Sequence, residues 1–285
     1  MEKISINTTT QQKLIKSFPL DAVQMIGSDA VDFLQRITTN DFRTFKKSEV
    51  QKTLLITEKG RIVDAIWVFH RGDDLLLLCS ETLGNEVISW LNKFIIMEDI
   101  QLQNVSHQFS FDLLLYPDDS ITTFCRIDYF GIPAALIEHE INYYKIPLFD
   151  QPFEYWRIQH GIPVAKKELV QDYNPLELNL WDWISFTKGC YIGQEVIARL
   201  DTYNKIQRLL CLIISDDDIL EREKLVDEEK KEIGSITSVI KTNNRTYGLA
   251  VVRLKHACTN AVLNTEGGKH IVIEKVFNSK TYGRN

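Results

Sequence analysis

No C-x-x-C pair occurs among the five cysteines, Cys79, Cys125, Cys190, Cys211 and Cys258, which lie far apart along the chain. Their odd number and dispersal remove zinc-ribbon and iron–sulfur ligand spacing, predict no metal site built from the chain's own ligands, and point to a reducing compartment. Missing too are the G-x-x-x-x-G-K-[ST] phosphate loop, G-x-G-x-x-G and H-E-x-x-H. Nucleotide hydrolysis, dinucleotide redox chemistry and zinc hydrolysis therefore lack their usual anchors. No stretch of about eighteen apolar residues exists, and Met1-Glu2-Lys3-Ile4-Ser5 is polar, without an apolar leader. The expectation is a cytoplasmic protein with no membrane contact. An excess of positive charge is also absent: the net charge is −6, whereas nucleic-acid binders carry a basic face, so no direct nucleic-acid contact is expected.

What is present is an ordinary globular composition, 44% hydrophobic and 25% charged, in 285 residues, a length that suggests two or three structural units. Residues 1 to 19 carry little pattern. From Ser28, placed as N-cap, Ala30, Phe33, Leu34 and Ile37 recur at helical spacing until the turn-prone Thr38-Thr39-Asn40-Asp41. Three strand-like runs follow, Thr53 to Thr57, Ile62 to His70 and Leu75 to Cys79, separated by Glu58-Lys59-Gly60-Arg61 and Arg71-Gly72-Asp73-Asp74, which predict two hairpins. A helix fits Thr82 to Ile95 and a strand Ile100 to Val105.

Further strands are expected at Phe109 to Tyr116, Cys125 to Tyr129 and Ala134 to Ile137, then a helix from Pro152 to about His160, stopped by Gly161-Ile162-Pro163. Read without other knowledge, Arg157 on that helix is a solvated surface arginine. Beyond residue 205 the pattern becomes all-β, with strands at Gln207 to Ile214, Ile233 to Ile240, Thr246 to Leu254, Ala261 to Leu263 and Ile271 to Val276. The charged run Asp216 to Glu232 reads as a solvated loop. The division expected is an α+β body over 1–205 and a small β-barrel over 206–285.

The chain is organised around Lys188-Gly189-Cys190-Tyr191-Ile192-Gly193-Gln194-Glu195-Val196-Ile197-Ala198-Arg199. Two glycines bracket a turn and an amphipathic run follows, so Cys190 is expected near a helix N-terminus beside Lys188, a setting that favours a thiolate. The other reading is a cysteine packed as a small hydrophobe. The polar groups Lys188, Gln194, Glu195 and Arg199 and the flanking glycines weigh for function.

Lys188-Gly189-Cys190-Tyr191-Ile192-Gly193-Gln194-Glu195 resembles the K-G-C-[FY]-x-G-Q-E signature of the YgfZ family, which is related to the glycine-cleavage T-protein. Supporting matches are Ile26-Gly27-Ser28-Asp29-Ala30, Phe33-Leu34-Gln35, Thr39-Asn40-Asp41, Lys59-Gly60-Arg61, Arg157 with Gly161-Ile162-Pro163, and Asn179 with Ile184-Ser185-Phe186. They span about residues 26 to 199. The resemblance implies a T-protein-like, three-lobed α+β arrangement around a central channel, with a ferredoxin-like lobe near 50–105 and a C-terminal β-barrel. It further implies tetrahydrofolate as cofactor and support of iron–sulfur enzymes, including the one that methylthiolates tRNA, as the role.

Carried over position by position, the resemblance makes Cys190 the functional thiol with Lys188 beside it. Arg157, Phe153 and Leu20 fall where relatives contact the folate, and Tyr191, Gln194, Glu195 and Asp64 complete the implied binding set. A flat pterin wants stacking, and an anionic tail wants a cation. One departure stands out. T-proteins carry an Asp-Asp pair where this chain reads Gly60-Arg61-Ile62-Val63-Asp64-Ala65, and their T-G-x-x-G-E-x-G segment has no counterpart. Three functions remain in view: a folate-binding accessory protein for iron–sulfur clients, a folate-dependent aminomethyl or one-carbon transferase using Asp64 or Glu195 as acid–base group, and an adaptor whose acidic loop docks a partner.

Overall fold

In the computed structural model, residues 12–138, 146–242 and 245–279 are described; the polar start at Met1–Ser5 lies outside them. Strands β1 (Lys13–Phe18) and β2 (Leu20–Ile26) come first and part at once into different sheets. Helix α1 (Ala30–Ile37), the meander β3 (Val50–Ile56), β4 (Ile62–His70) and β5 (Leu75–Ser80), helix α2 (Gly84–Asn92) and β6 (Gln101–Asn104) follow. With β2 they make an antiparallel five-stranded sheet in the order β3-β4-β5-β2-β6. The segment near 50–105 thus supplies four of its strands, and the fifth enters between β5 and β6 from a stretch with no clear strand signal.

That stretch is hard to read because Asp21 and Gln24 interrupt its apolar residues. Both are satisfied by tertiary partners: Asp21 accepts the Gly84 N–H at 2.8 Å, and the Gln24 amide donates to Asp74. The strand β5, by contrast, is a run of four leucines buried on both sides. Leu75, Leu77 and Cys79 join the core beneath α1 and α2, while Leu76 and Leu78 face the other way. Ser28 does not cap α1. Asp29 occupies that position, and its side chain and that of Ser28 both bond to Asp99 instead.

The second sheet runs β1-β7-β9-β8, from β7 (Phe111–Leu115), β8 (Cys125–Tyr129) and β9 (Ile132–Glu138). Its inner residues, Phe111, Leu113, Leu136 and Tyr129, share one core with Leu54, Trp67, Leu76 and Leu78 of the first sheet. Helix α3 (Phe153–His160) then closes this core; Pro152 is its N-cap, and Gly161 ends it in the left-handed region at φ 66°. Short 3-10 turns at Pro175–Leu178 and Trp181–Trp183 lead to helix α4 (Gln194–Thr202).

The remaining strands, β10 (Arg208–Ser215), β11 (Lys224–Val226), β12 (Glu232–Thr242), β13 (Arg245–Arg253), β14 (Val262–Thr265) and β15 (His270–Phe277), form a closed barrel in the order β10-β13-β12-β11-β14-β15. The charged run Asp216 to Glu232 is not wholly a loop. Leu225 within it is fully buried, and β11 pairs with β12 and β14 to complete the barrel. Charge density hid this strand, because it is only three residues long, with one exposed lysine, and charged residues flank it on both sides.

If Leu225 holds that closure, Leu225→Ala will lower stability by about 2–5 kcal/mol, as large-to-small core changes do. Leu220→Ala, at a 57% exposed leucine of the same run, will change it by less than about 0.5 kcal/mol in the same urea titration.

Candidate functional site

Two structures are built at the seams between these layers. The first is the loop 184–193 that precedes α4. Its route is set by polar bonds to the end of α1: the Ser185 N–H donates to the Thr39 carbonyl at 3.0 Å, and the Thr39 hydroxyl donates to the Trp183 carbonyl at 2.7 Å. Lys188 is buried, and its ammonium donates to the carbonyls of Thr38 (2.8 Å) and Asn40. Both carbonyls lie just past α1: Thr38 is its C-cap, in an extended conformation, and Asn40 follows two residues later. Burial, with the Arg43 charge nearby, pulls the Lys188 pKa down to about 8 against the opposing pull of Asp41.

The ammonium also sits 5.3 Å from the centre of the Tyr191 ring, a cation–π contact within the core. What Lys188 touches is therefore backbone and ring, not the neighbouring thiol. Cys190 is exposed, and α4 begins four residues later at Gln194, so the thiol is not a first-turn residue of that helix. Tyr191 is buried, which pushes its pKa up to about 12. Gln194 is half-buried at the helix start, and Glu195 points into solvent in an ion pair with Arg199 at 3.1 Å.

The two motif glycines have different duties. Gly193 caps α4 at φ 76°, and a Cβ there would stand 2.5 Å from the Thr57 carbonyl oxygen, so only glycine lets α4 lie on the β3–β4 turn. At Gly189 a Cβ would meet nothing within 4 Å.

The second structure is a cavity of about 390 Å³ between the two sheets and α3. Its walls are aromatic: Phe18, Trp67, Tyr129, Phe130 and Phe153, with Leu20 beside them. Trp67 and Tyr129 stack at 5.7 Å, Phe18 meets Phe153 edge-on at 5.7 Å, and the Trp67 indole N–H is held by the Asp128 carbonyl at 3.0 Å. Ser80, Glu81, Thr82 and Lys166 add the polar groups. A small site of 300–1,000 Å³ with apolar walls and a few polar groups is the usual form of an organic-ligand pocket.

Leu20 and Phe153 line this cavity, but Arg157 does not. It is fully buried rather than solvated, and its guanidinium is spent on Glu154 (2.6 Å), the Ile162 carbonyl (3.1 Å), Glu168 (3.4 Å) and Ser238 (2.7 Å). Glu168, also buried, accepts in addition from the hydroxyls of Thr237 and Ser238 at 2.6 Å and from the Val164 N–H at 3.1 Å. This network ties α3 and the loop 162–169 to β12 of the barrel. Arg157 thus positions one wall and leaves no donor for a ligand anion.

Asp64 is likewise set back. It pairs in register with Leu55, whose side chain belongs to the core under α1 and α2, and it reaches the cavity only through Ser80, whose N–H (2.9 Å) and hydroxyl (2.7 Å) both donate to it. Burial pushes its pKa up to about 6, with Asp21 adding to the rise.

Sequence reading missed Phe18, Trp67, Tyr129, Phe130 and Lys166. The alternation of Ala65 and Trp67 along β4 was a legible signal, since every second residue shares a face; which face met a cavity was not. Among the described residues no group of three or more His, Cys, Asp or Glu side chains is placed to hold a metal ion, and no helix is long and apolar enough to cross a membrane.

Comparison with known proteins gives a consistent result. A family model described as the GCVT N-terminal domain matches residues 7–114. A putative chloroplastic transferase of Arabidopsis thaliana, At1g60990, is 27% identical over 277 residues, covering 82% of this chain but only 64% of that protein. The chain therefore spans just under two thirds of that relative's length. The tRNA-modifying protein YgfZ of Buchnera aphidicola subsp. Acyrthosiphon pisum is 23% identical, with 92% of this chain and 93% of that one covered. In fold the chain is similar to the crystal structure of glycine cleavage system aminomethyltransferase T from Bartonella henselae, with a TM-score of 0.75 at 13% identity over 93% of this chain and 85% of that one.

Two measurements test the geometry. Because Asp64 holds its proton to about pH 6 when folded but only to about pH 4 when unfolded, its contribution to stability is full below about pH 4 and is lost as pH rises through about 6. Urea midpoints taken across that window will fall for wild type relative to Asp64→Asn, with the gap closing at low pH. Gly193→Ala will cost about 1–3 kcal/mol, whereas Gly189→Ala will stay within about 0.5 kcal/mol.

Proposed function

We propose that this chain, which belongs to the YgfZ- and T-protein-like family, is a tetrahydrofolate-binding accessory protein that supports iron–sulfur enzymes, among them one that methylthiolates tRNA, in the cytoplasm. The observation that carries the reading is the aromatic cavity. Its five rings suit a flat pterin by stacking, and its volume suits a small organic ligand rather than a macromolecule. Bound there, the folate would supply one-carbon chemistry at its nitrogens. Trp67, Tyr129 and Phe153 would hold the ring and exclude water from it.

Cys190 supplies the second half of the reading. It is the exposed thiol of the motif loop, and it lines no part of the cavity. A thiol held at the surface, on a loop anchored from below by Lys188, is placed to meet the thiols or cluster of a client protein. The buried Cys79, Cys125 and Cys211 are shielded from such contact.

The transferase reading needs an acid or base at the folate. Glu195 is paired with Arg199 at the surface, and Asp64 stands behind Ser80, so neither is a lining group. The carboxylate that does line the cavity is Glu81, an exposed residue, so both acid–base groups expected from the sequence stand away from the ligand space.

Calorimetric titration with tetrahydrofolate tests the reading. Wild type and Cys190→Ala are expected to bind alike at micromolar or tighter affinity, and Trp67→Ala or Phe153→Ala to bind about tenfold or more weakly, as loss of a stacked ring does. In cells, Cys190→Ala is expected to abolish support of iron–sulfur enzymes. Absence of folate binding by wild type would overturn the proposal.

A further inference from the structure

We infer that the barrel carries a second binding site, independent of the folate reading: a cavity with an apolar floor and an acidic rim that receives an arginine side chain from a basic segment of a partner protein. The cavity, of about 350 Å³, is lined by the β11–β12 turn, by β14 and by the 3-10 turn Leu254–His256. Ile233 and Leu263, both buried, form its floor with Val226, and Val262, 64% exposed, carries the apolar wall to the surface. Asp227, Glu228 and Glu229 line it as well, and no lysine or arginine is among its described lining residues.

The charged run from Asp216 to Glu232 therefore has a use beyond closing the barrel through Leu225: the turn that follows β11 gathers carboxylates at one place. That turn is held in shape. The Asp227 N–H donates to the Lys231 carbonyl at 3.0 Å, and one Asp227 carboxylate oxygen accepts the N–H groups of Glu229 (3.0 Å) and Lys231 (2.9 Å). The Lys231 ammonium is spent on Glu229, whereas Glu228 is exposed and makes no ion pair among the described residues. Lys255, next in the chain to His256, is exposed and does not line the cavity. A hollow whose charged side chains are carboxylates favours a cationic occupant.

His256 points the same way. It lines the cavity, and its Nε2 is buried with no hydrogen-bond partner among the described residues. A buried polar nitrogen left unpaired is costly, and a ligand that supplies the missing partner relieves that cost. In the tautomer with its proton on Nδ1, the ring accepts at Nε2, and a guanidinium brings five N–H donors in one plane. One donor meets the imidazole, others reach Asp227 or Glu228 as charge-assisted bonds, and the aliphatic stem covers Ile233 and Leu263. A lysine ammonium is a compact, more strongly hydrated charge without that planar fork, so the site prefers arginine.

The test is an NMR titration of the full-length chain, labelled at isoleucine and leucine methyl groups and at the histidine rings. Three capped tripeptides serve as probes: Gly-Arg-Gly, Gly-Lys-Gly and Gly-citrulline-Gly, the last a neutral copy of the arginine shape. Gly-Arg-Gly is expected to bind in the millimolar range and to shift the Ile233, Leu263 and His256 signals, Gly-Lys-Gly to bind about threefold more weakly, and the citrulline peptide to shift nothing. Glu228→Gln, a change at an exposed residue, is expected to weaken Gly-Arg-Gly about threefold, and His256→Phe to abolish the preference for arginine over lysine. Absence of shifts at the three residues in wild type, equal shifts from the citrulline peptide, or a Glu228→Gln variant that matches wild type overturns the inference. Equal binding of the lysine peptide by wild type, or a preference for arginine that survives in His256→Phe, overturns the assignment to arginine. The folate reading is untouched by any of these results, since its cavity lies between the two sheets and α3.

Discussion

A buried ion pair, Arg157 with Glu168, is the constraint on which the rest of the site depends. Two charges out of water are tolerable only when each is met by a partner and by hydrogen bonds. Here Arg157 comes from α3, Glu168 from the loop 162–169, and the hydroxyls that complete the network from Thr237 and Ser238 of β12. Removing Arg157 would leave Glu168 without a counter-charge in the interior, a cost of about 3–5 kcal/mol, whereas without Glu168 the guanidinium still keeps Glu154. The pair thereby holds α3, one cavity wall and the barrel in a fixed relation.

From that relation comes a separation of duties. The aromatic cavity lies between the sheets and α3, while the motif cysteine lies on a loop fastened to the end of α1 by Lys188 and to the β3–β4 turn by Gly193. The cavity is apolar and set in the core; the thiol is open to solvent. A ligand in the first and a protein partner at the second need not compete for space. The Lys188 ammonium is spent on the Thr38 and Asn40 carbonyls just past α1, and Cys190 is exposed.

The motif was legible because its residues are close in sequence: glycine, cysteine and lysine in one stretch need no tertiary information to be seen together. Hairpins were legible for the same reason, since Gly60 and Gly72 mark their turns and each strand alternates beside them. Strand β2 was not, because Asp21 and Gln24 break its apolar pattern and their partners, Gly84 and Asp74, lie about fifty or more residues away in the chain. Strand β11 was hidden by the charged residues that flank its three positions in the chain. The cavity drew on Phe18, Trp67, Tyr129 and Phe153, from three sheet strands and a helix, and no local pattern joins them.

The sequence by itself determined the helices, most of the strands and the all-β character beyond residue 205, because each rests on periodicity or on turn chemistry over a few residues. Only the tertiary structure decided what the charged groups do. Arg157 and Lys188 are both cations on or beside helices; Glu154, one turn back, is a local partner of the first, but nothing nearby along the chain says that Glu168 and Ser238 also hold it, or that the second is spent on the Thr38 and Asn40 carbonyls. Lys166 and Lys167 are adjacent and chemically alike, yet packing pairs the second with two carboxylates and leaves the first at the cavity rim. The physical reason is that a charge takes its role from the dielectric and the partners that folding brings to it, and those come from residues remote in the chain.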